Sequence, residues 1–298
     1  MFTKKVAPEP QDLRPSQEEL IQGIRGLQHA AWLNTVGQNL QCWRALLSEP
    51  KLADPRRLER FGHKCYSQND EDGILLEIFN RIGVEHSTFI EFGVGNGLEN
   101  NSLLWLVQGW RGLWIDGGAE GAQSIHARFA DRIAARQLQF RQAHITAESI
   151  DQEFVAAGMT GGIDLLSIDI DGNDYYVFEA IRSVSPRVVV IEYNGKFPPP
   201  VRWRMPYSPH HHWDGSDWFG ASLQSMEDLF AARGYGLVAC NITGANAFFV
   251  RNDLLGEGRF HAPYTAANHY QPTRYFLTGG LFQHIGGHPP APGMAIVG

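Results

Sequence analysis

The sequence has few of the features that place a protein in an oxidising compartment or a membrane. Its cysteines, Cys42, Cys65 and Cys240, are odd in number and widely separated, which argues against a disulfide framework. No run of about 18 apolar residues occurs, so no membrane-spanning segment is predicted. The start, MFTKKVAPEPQDLRP, lacks the apolar core of a secretion signal. These absences predict a cytoplasmic protein that does not bind membranes.

An excess of positive charge is also missing. Lysine and arginine number 25 against 32 acidic residues, and the net charge is -7. A mildly acidic chain is a poor partner for a polyanion, so nucleic acid is not expected to bind. The 298 residues, 43% of them hydrophobic, suffice for a large α/β domain with a well-developed core.

Short apolar runs alternate with helical patterns along most of the chain. Helices are predicted at 66–83, 97–108, 120–135, 148–157, 174–183 and 222–233. Strands are predicted at 88–92, 112–116, 138–144, 164–170, 187–193, 235–242 and 246–251. The repeated strand–helix order predicts a mainly parallel sheet with helices on both faces. The short turn before the final strand predicts that this strand runs antiparallel.

The chain is predicted to have three parts. Residues 1–60 form a helical extension, which begins with the capping-box pair Ser16 and Glu19. One or two amphipathic helices there either cover the sheet or form a contact between copies of the chain. Residues 61–255 form the main domain, which contains a long loop at 195–220. Residues 256–298 form a tail rich in glycine, proline and histidine.

The stretch TFIEFGVGNGLENN carries the first functional signal. Gly93, Gly95 and Gly97 follow the first predicted strand, where main-chain N–H groups can approach a ligand closely. A dinucleotide fingerprint would place its third glycine at the position of Leu98. With Glu91 in front, the pattern E-x-G-x-G-x-G instead resembles motif I of S-adenosylmethionine-dependent methyltransferases. That resemblance implies that Glu91 holds the amino acid end of the cofactor.

The next two predicted strands add further cofactor contacts. Asp116 ends the second strand, at the spacing typical of an acid that accepts from ribose hydroxyls. The resemblance also implies adenine contacts near Ile145, and Asn101 falls beside the cofactor in the first turns of the following helix. An NAD(P)-dependent oxidoreductase is the alternative, and the missing glycine at Leu98 argues against it.

Acidic residues follow the fourth and fifth predicted strands, in SIDIDGND and VVVIEYNG. Strand ends of a parallel sheet meet at one edge, so these residues are expected to crowd together. In one interpretation Asp169, Glu192 and Asn194 bind Mg²⁺ or another divalent cation. In another, no metal is present and Asp169 or Asp171 is the general base. In a third, some of these residues only cap a helix.

The same stretches resemble the FkbM-type methyltransferases. The relevant segments are YSQNDEDGILLEIF, LLSIDIDGNDYYVFEAI and PRVVVIEYN, and the resemblance covers roughly residues 64–253. It implies a Rossmann-like methyltransferase fold with a seven-stranded sheet. It also implies methyl transfer from S-adenosylmethionine to an oxygen of a small polar molecule, a sugar or secondary metabolite. A non-catalytic protein that keeps the fold is a further alternative.

The predicted loop at 195–220 contains YSPHHHWDGSDWFG. In one interpretation the loop covers the cofactor, His211 or His212 is the base toward an acceptor hydroxyl, and tryptophans form the pocket wall. In the other, the loop is exposed and its tryptophans pack on the domain.

Overall fold

The computed structural model describes residues 16–278, and a seven-stranded sheet forms its centre. The strands, in chain order, are β1 (Thr88–Phe92), β2 (Arg111–Asp116), β3 (Leu138–Gln142), β4 (Gly161–Ile168), β5 (Val184–Glu192), β6 (Tyr235–Cys240) and β7 (Asn246–Arg251). Their order across the sheet is β3-β2-β1-β4-β5-β7-β6. β1 to β5 pair in parallel, and β7 is antiparallel to both of its neighbours. The predicted α/β Rossmann-like sheet with an antiparallel last strand is confirmed.

Helices lie between the strands at nearly all of the predicted positions. They are α1 (Gln17–Leu47), α2 (Glu71–Ile82), α3 (Leu103–Val107), α4 (Ala119–Arg128), α5 (Ala130–Ala134), α6 (Ile150–Ala156), α7 (Asp174–Ala180), α8 (Leu223–Ala232) and α9 (Ala266–His269). Three predicted helices differ from the structure. The helix predicted at 66–83 begins only at Glu71. The helix predicted at 97–108 begins only at Leu103, and the one at 120–135 is divided at Phe129. The Phe129 backbone leaves the helical conformation, and its ring packs edge-on against Trp114.

The core forms two layers, one on each face of the sheet. Successive strand residues point to opposite faces, so Phe89 packs with α2 and α3 while Ile90 packs with α6 and α7. Both layers are closed to solvent, which explains why the strands are continuously apolar. The sheet is therefore a rigid support for the side chains at its carboxyl edge.

The N-terminal extension is one long helix. Ser16 and Glu19 form the predicted capping box at its start. Its second half is anchored to the domain: Trp43 is buried, and Asn39 donates to the carbonyl oxygen of Phe276 at 2.8 Å. Leu27, in the first half, is 73% exposed.

The C-terminal part runs back over the domain as far as Thr278. His269 and Leu277 are fully buried there, so these residues anchor the segment to the domain. The first fifteen residues of the predicted extension and residues 279–298 of the predicted tail lie outside the described residues. Within residues 16–278, no helix combines the length and apolarity needed to cross a membrane.

Candidate active site

A cavity of about 680 Å³ opens at the carboxyl edge of the sheet. It is lined mainly by polar residues from the loops after β1 to β4 and by part of the loop at 195–220. The lining residues are Gln68, Glu91, Gly93, Val94, Gly95, Asn96, Glu99, Asn100, Asn101, Ile115, Asp116, Gly117, Ala143, His144, Ile145, Asp169, Ile170, Asp171, Asn173, His211, His212, Trp213 and Asn246. Ligands of open α/β sheets bind at this edge.

The glycines after β1 have different functions. Gly93 has a φ of 81°, and a β-carbon there would overlap the carbonyl oxygen of Asp169. Gly95 has a φ of 53° with open space in front of it, so a ligand can approach its main chain. Gly97 does not line the cavity. A side chain there would press on Trp114 and Phe129, so Gly97 allows the turn to pack on the core.

Glu91 is buried and holds the loop that follows the glycines. Its carboxylate accepts from the main-chain N–H groups of Asn101 and Ser102, both at 2.9 Å, and from the side chains of Asn100, Ser102 and Ser167. Residues 100–102 are thus bound to Glu91, which explains why α3 starts at Leu103. Burial raises the pKa of Glu91, although these donors oppose the shift. The predicted contact between Glu91 and a cofactor ammonium remains a prediction.

Asp116 lies where a carboxylate can accept hydrogen bonds from the hydroxyl groups of a ribose. Its two carboxylate oxygens each accept one main-chain N–H, from Gly95 and Gly118, at 2.7 Å. Each oxygen retains a lone pair for a ligand. The cavity wall continues with Ile145, which is buried and apolar. Asn101 also lines the cavity, and its side-chain amide donates to Ser167.

Three carboxylates form a cluster beside the cavity. Asp169, Asp171 and Glu192 each offer an oxygen within 4.8 Å of the others. Within the described part of the chain, no hydrogen-bond donor reaches these side chains, and Oε2 of Glu192 is buried without a partner. Burial and the nearby carboxylates of Asp171 and Asp174 raise the pKa of Asp169 well above its usual range. The pKa of Glu192 is likewise raised well above its usual range by burial, Asp169 and Asp174.

Asn194, predicted as a metal ligand, is hydrogen-bonded to the long loop. Its amide nitrogen donates to the carbonyl oxygens of Asp217 and Phe219, and its amide oxygen accepts from Lys196 N–H. Asn194 therefore anchors the long loop, and its binding of a metal remains a prediction. Asp174 has a structural function, since it accepts from two main-chain N–H groups of the preceding turn.

The loop at 195–220 is ordered and lies over the carboxyl edge. Side chains of the domain hold it through its main-chain oxygens. The side chains of Asn173, Tyr176 and His144 donate hydrogen bonds to the carbonyl oxygens of Ser208, Met205 and Pro209, respectively. The Asn194 amide makes the same kind of contact farther along the loop. Trp213 reaches the cavity, and Trp218 packs edge-on against Trp203 at 5.8 Å.

The three consecutive histidines have different positions. His211 and His212 line the cavity, whereas His210 is exposed and does not. Nε2 of His211 donates to the carbonyl oxygen of Asp171 at 3.1 Å, so its Nδ1 carries no proton when the ring is neutral. The ring lies against Gly172, where a β-carbon would overlap it. The His212 ring lies 5.5 Å from that of His144.

Asn246 was missed by sequence reasoning. It lines the cavity and is 4% exposed, and its Oδ1 has no hydrogen-bond partner within residues 16–278. It begins β7, and because that strand is antiparallel its first residue lies at the carboxyl edge of the others. A search limited to strand ends misses such a residue, although the predicted antiparallel strand pointed to it.

The cavity fits S-adenosylmethionine on the evidence of its own residues. The open main chain at Gly95, the ribose-binding geometry of Asp116 and the apolar wall at Ile145 together suit an adenosine with a polar tail. Together with the strand order, these features define a class I S-adenosylmethionine-dependent methyltransferase.

Comparison with known proteins agrees with this class. The family model of the methyltransferase FkbM domain matches residues 68–236, more than half of the chain. The chain therefore belongs to the FkbM methyltransferase family. Among curated proteins, no match is found.

Solved structures with a similar fold include three methyltransferases. The methyltransferase domain of bacterial CtHen1-C is 14% identical, with a TM-score of 0.40, over 62% of this chain and 97% of that one. The glycopeptide N-methyltransferase MtfA, complexed with S-adenosyl-L-homocysteine, is 13% identical (TM-score 0.38; coverage 65% and 95%). An O-methyltransferase from Bacillus cereus is 14% identical (TM-score 0.37; coverage 72% and 89%).

Proposed function

We propose that this methyltransferase transfers the methyl group of S-adenosylmethionine to a hydroxyl oxygen of a small polar molecule, a sugar or a secondary metabolite. The observation that carries the proposal is the cluster of Asp169, Asp171 and Glu192 beside the cofactor cavity, whose carboxylates accept from no donor among residues 16–278. Hydroxyl groups of an acceptor would supply the missing donors. The cluster would then fix the orientation of the acceptor, which is a large part of catalysis in a displacement reaction.

The same cluster favours oxygen over nitrogen as the atom that is methylated. Clustered carboxylates stabilise a protonated amine, and an ammonium group has no lone pair with which to attack. A hydroxyl keeps its lone pairs and needs only to lose its proton. The bound cofactor supplies an electrophilic methyl group, so proton removal and alignment are the tasks left to the protein.

His211 is proposed as the group that removes this proton. Its Nε2–H bond to the Asp171 carbonyl leaves Nδ1 as an acceptor, and the ring lines the cavity next to the cluster. His212 lines the cavity as well and is the second candidate. Asp169 or Asp171 is the base in a mechanism that uses neither histidine.

The exposed tryptophan at the cavity supports a ring-shaped acceptor. Trp213 lines the cavity and is 51% exposed, although large aromatic side chains are usually covered. Exposed apolar surface next to a polar cavity is typical of a ligand site. A sugar ring could lie on such a surface while its hydroxyls face the carboxylates.

Two measurements on the same protein test the proposal. Calorimetry should detect binding of S-adenosylhomocysteine. Incubation with methyl-labelled cofactor and a panel of sugars, phenols and amines should give labelled methyl ethers, identified by mass spectrometry. Labelled products only from amines would contradict the oxygen acceptor, and absence of S-adenosylhomocysteine binding would contradict the cofactor site.

A further inference from the structure

We propose that Asp169, Asp171 and Glu192 hold one divalent cation together with Asn246, whose Oδ1 is a neutral ligand, and that Glu71 is the positioning residue for that oxygen. The ion would bind the acceptor oxygen in place of the direct hydrogen bonds between acceptor hydroxyls and the carboxylates, so this proposal deepens the proposed function and rests on it for the role of the ion. Binding of the ion itself can be tested without any acceptor.

The strand register brings these residues together. Glu192 and Asn246 are direct partners on the antiparallel pair β5–β7. Directly opposed residues point to the same face of the sheet, with β-carbons about 5 Å apart. On the other side, Ile168 pairs with Ile191, so Asp169 follows its strand beside Glu192. Three adjacent strands thus present oxygen-bearing side chains in one row.

The orientation of the Asn246 amide is fixed by Glu71. Asn246 Nδ2 donates to Oε1 of Glu71 at 2.9 Å. That oxygen also accepts from the side chains of Asn69 and Asn241, and an acceptor in this position requires the nitrogen end of each amide to face it. Oδ1 of Asn246 must therefore point away from Glu71, and no group in the described part of the chain is hydrogen-bonded to it.

Charge and donor chemistry both point to a hard cation. Among the described residues, no lysine or arginine forms an ion pair with Asp169, Asp171 or Glu192, although their oxygens lie within 4.8 Å of one another. Carboxylate and amide oxygens are the ligands that Mg²⁺, Mn²⁺ and Ca²⁺ prefer. A bound ion would satisfy the partnerless oxygens of Glu192 and Asn246 at once. It would also lower the pKa of an acceptor hydroxyl bound to it.

Titration of the metal-depleted protein with Mn²⁺, followed by electron paramagnetic resonance of the free ion, tests the site. The wild type should bind one Mn²⁺ per chain, and Mg²⁺ should compete. Asn246→Ala and Asp171→Asn each remove or weaken a ligand and should raise the Kd about tenfold or more. Glu71→Gln should raise it roughly 10- to 100-fold, because it frees the amide to rotate.

Asp131→Asn is the matched control, since it removes one carboxylate at an exposed position on α5 and should leave the Kd for Mn²⁺ unchanged. Calorimetry with S-adenosylhomocysteine on every variant reports an intact cofactor cavity. If Asn246→Ala does not fold, Asp171→Asn, on an exposed turn, still tests the site.

No Mn²⁺ binding by the wild type at millimolar concentration, with S-adenosylhomocysteine bound normally, would overturn the cation site alone. Unchanged Mn²⁺ affinity in Asn246→Ala and Glu71→Gln would show that Asn246 is not a ligand of the ion and that Glu71 does not position it. Loss of S-adenosylhomocysteine binding by the wild type would instead count against the proposed function.

Discussion

His211 is held by the protein in a way that its neighbour His210 is not. Its ring fits against Gly172 and donates to the Asp171 carbonyl, whereas His210 projects into solvent. If His211 accepts the proton, His211→Ala should lower kcat about 100-fold or more, and His210→Ala should leave it unchanged. The kcat of His212→Ala, measured in parallel, tests His212 as the second candidate for the base. Equal turnover in all three variants would remove the histidines from the mechanism.

His269 gives the protein a dependence of stability on pH. The ring is fully buried beside Arg57, and its Nε2 donates to the carbonyl oxygen of His261. Burial and the charge of Arg57 lower its pKa to about 3. In the unfolded chain the ring therefore binds a proton near its ordinary pKa of 6.5, whereas in the folded protein it stays neutral at that pH. Stability contributed by the neutral ring is present above pH 6.5 and is lost as pH falls toward 3.

Chemical denaturation at several pH values measures this effect. Between pH 6.5 and 4, this one group should lower the free energy of unfolding by up to about 1.4 kcal/mol per pH unit. His269→Gln should be less stable at pH 8 but show a flatter profile. His126→Gln, at an exposed position, should follow the wild type, and identical slopes in all three proteins would contradict the assignment to His269.

Residue positions at the site were predictable from the sequence where a local pattern defined them. The glycine turn, Asp116 and the clustered acids lie where strand order and spacing placed them. The hydrogen bonds of Asn194 could not be predicted, because its amide donates to the carbonyl oxygens of Asp217 and Phe219, partners over twenty positions away that no local pattern reveals. Side-chain partners of this kind depend on tertiary packing rather than on spacing.

At the scale of elements, two helical glycines have opposite surroundings. Gly37 on α1 has open space where a β-carbon would lie, whereas a β-carbon at Gly73 on α2 would overlap the main chain at Phe61 and His63. Gly37→Ala should therefore raise the free energy of unfolding by about 0.5–1 kcal/mol through reduced chain entropy. Gly73→Ala should lower it by about 1–3 kcal/mol through overpacking.

Thermal unfolding of the two variants and the wild type measures the change in Tm that each substitution causes. The expected shifts have opposite signs, with a rise of a few degrees for Gly37→Ala. A rise in Tm for Gly73→Ala would show that α2 can move away from residues 61–63.

Element boundaries show what periodicity does and does not specify. The apolar pattern placed every strand because burial on both faces leaves a continuous signal. The predicted start of α3 was wrong. The helical pattern of the sequence extends back to Gly97, but the N–H groups of Asn101 and Ser102 donate to the Glu91 carboxylate. A buried acid on one strand thus decided where the next helix begins.

For the whole molecule, we propose that two copies associate through the first half of α1. Leu20, Ile24 and Leu27 recur at helical spacing and are 52%, 55% and 73% exposed. This half carries Glu18, Glu19 and Arg25 as its charged residues, so it lacks the basic face that favours a lipid surface. The same stripe on a second copy is a complementary partner, as in paired helices generally.

Analytical ultracentrifugation should show a dimer for the wild type and a monomer for Ile24→Glu/Leu27→Glu, because two carboxylates on the stripe would repel those of a partner. Arg25→Glu, on a neighbouring position outside the stripe, is the control and should remain dimeric. A monomeric wild type at micromolar concentration would exclude the association.

The anchoring of the loop at 195–220 has a consequence for how specificity can change. The carbonyl oxygens of the loop accept hydrogen bonds from Asn173, Tyr176 and Asn194, and a carbonyl oxygen is present whatever residue occupies the position. Residues such as Trp213 can therefore be substituted, in evolution or by saturation mutagenesis, while the backbone path of the loop is retained. A family built this way can acquire new acceptors through substitutions in one surface segment, without rebuilding the sheet or the cofactor cavity.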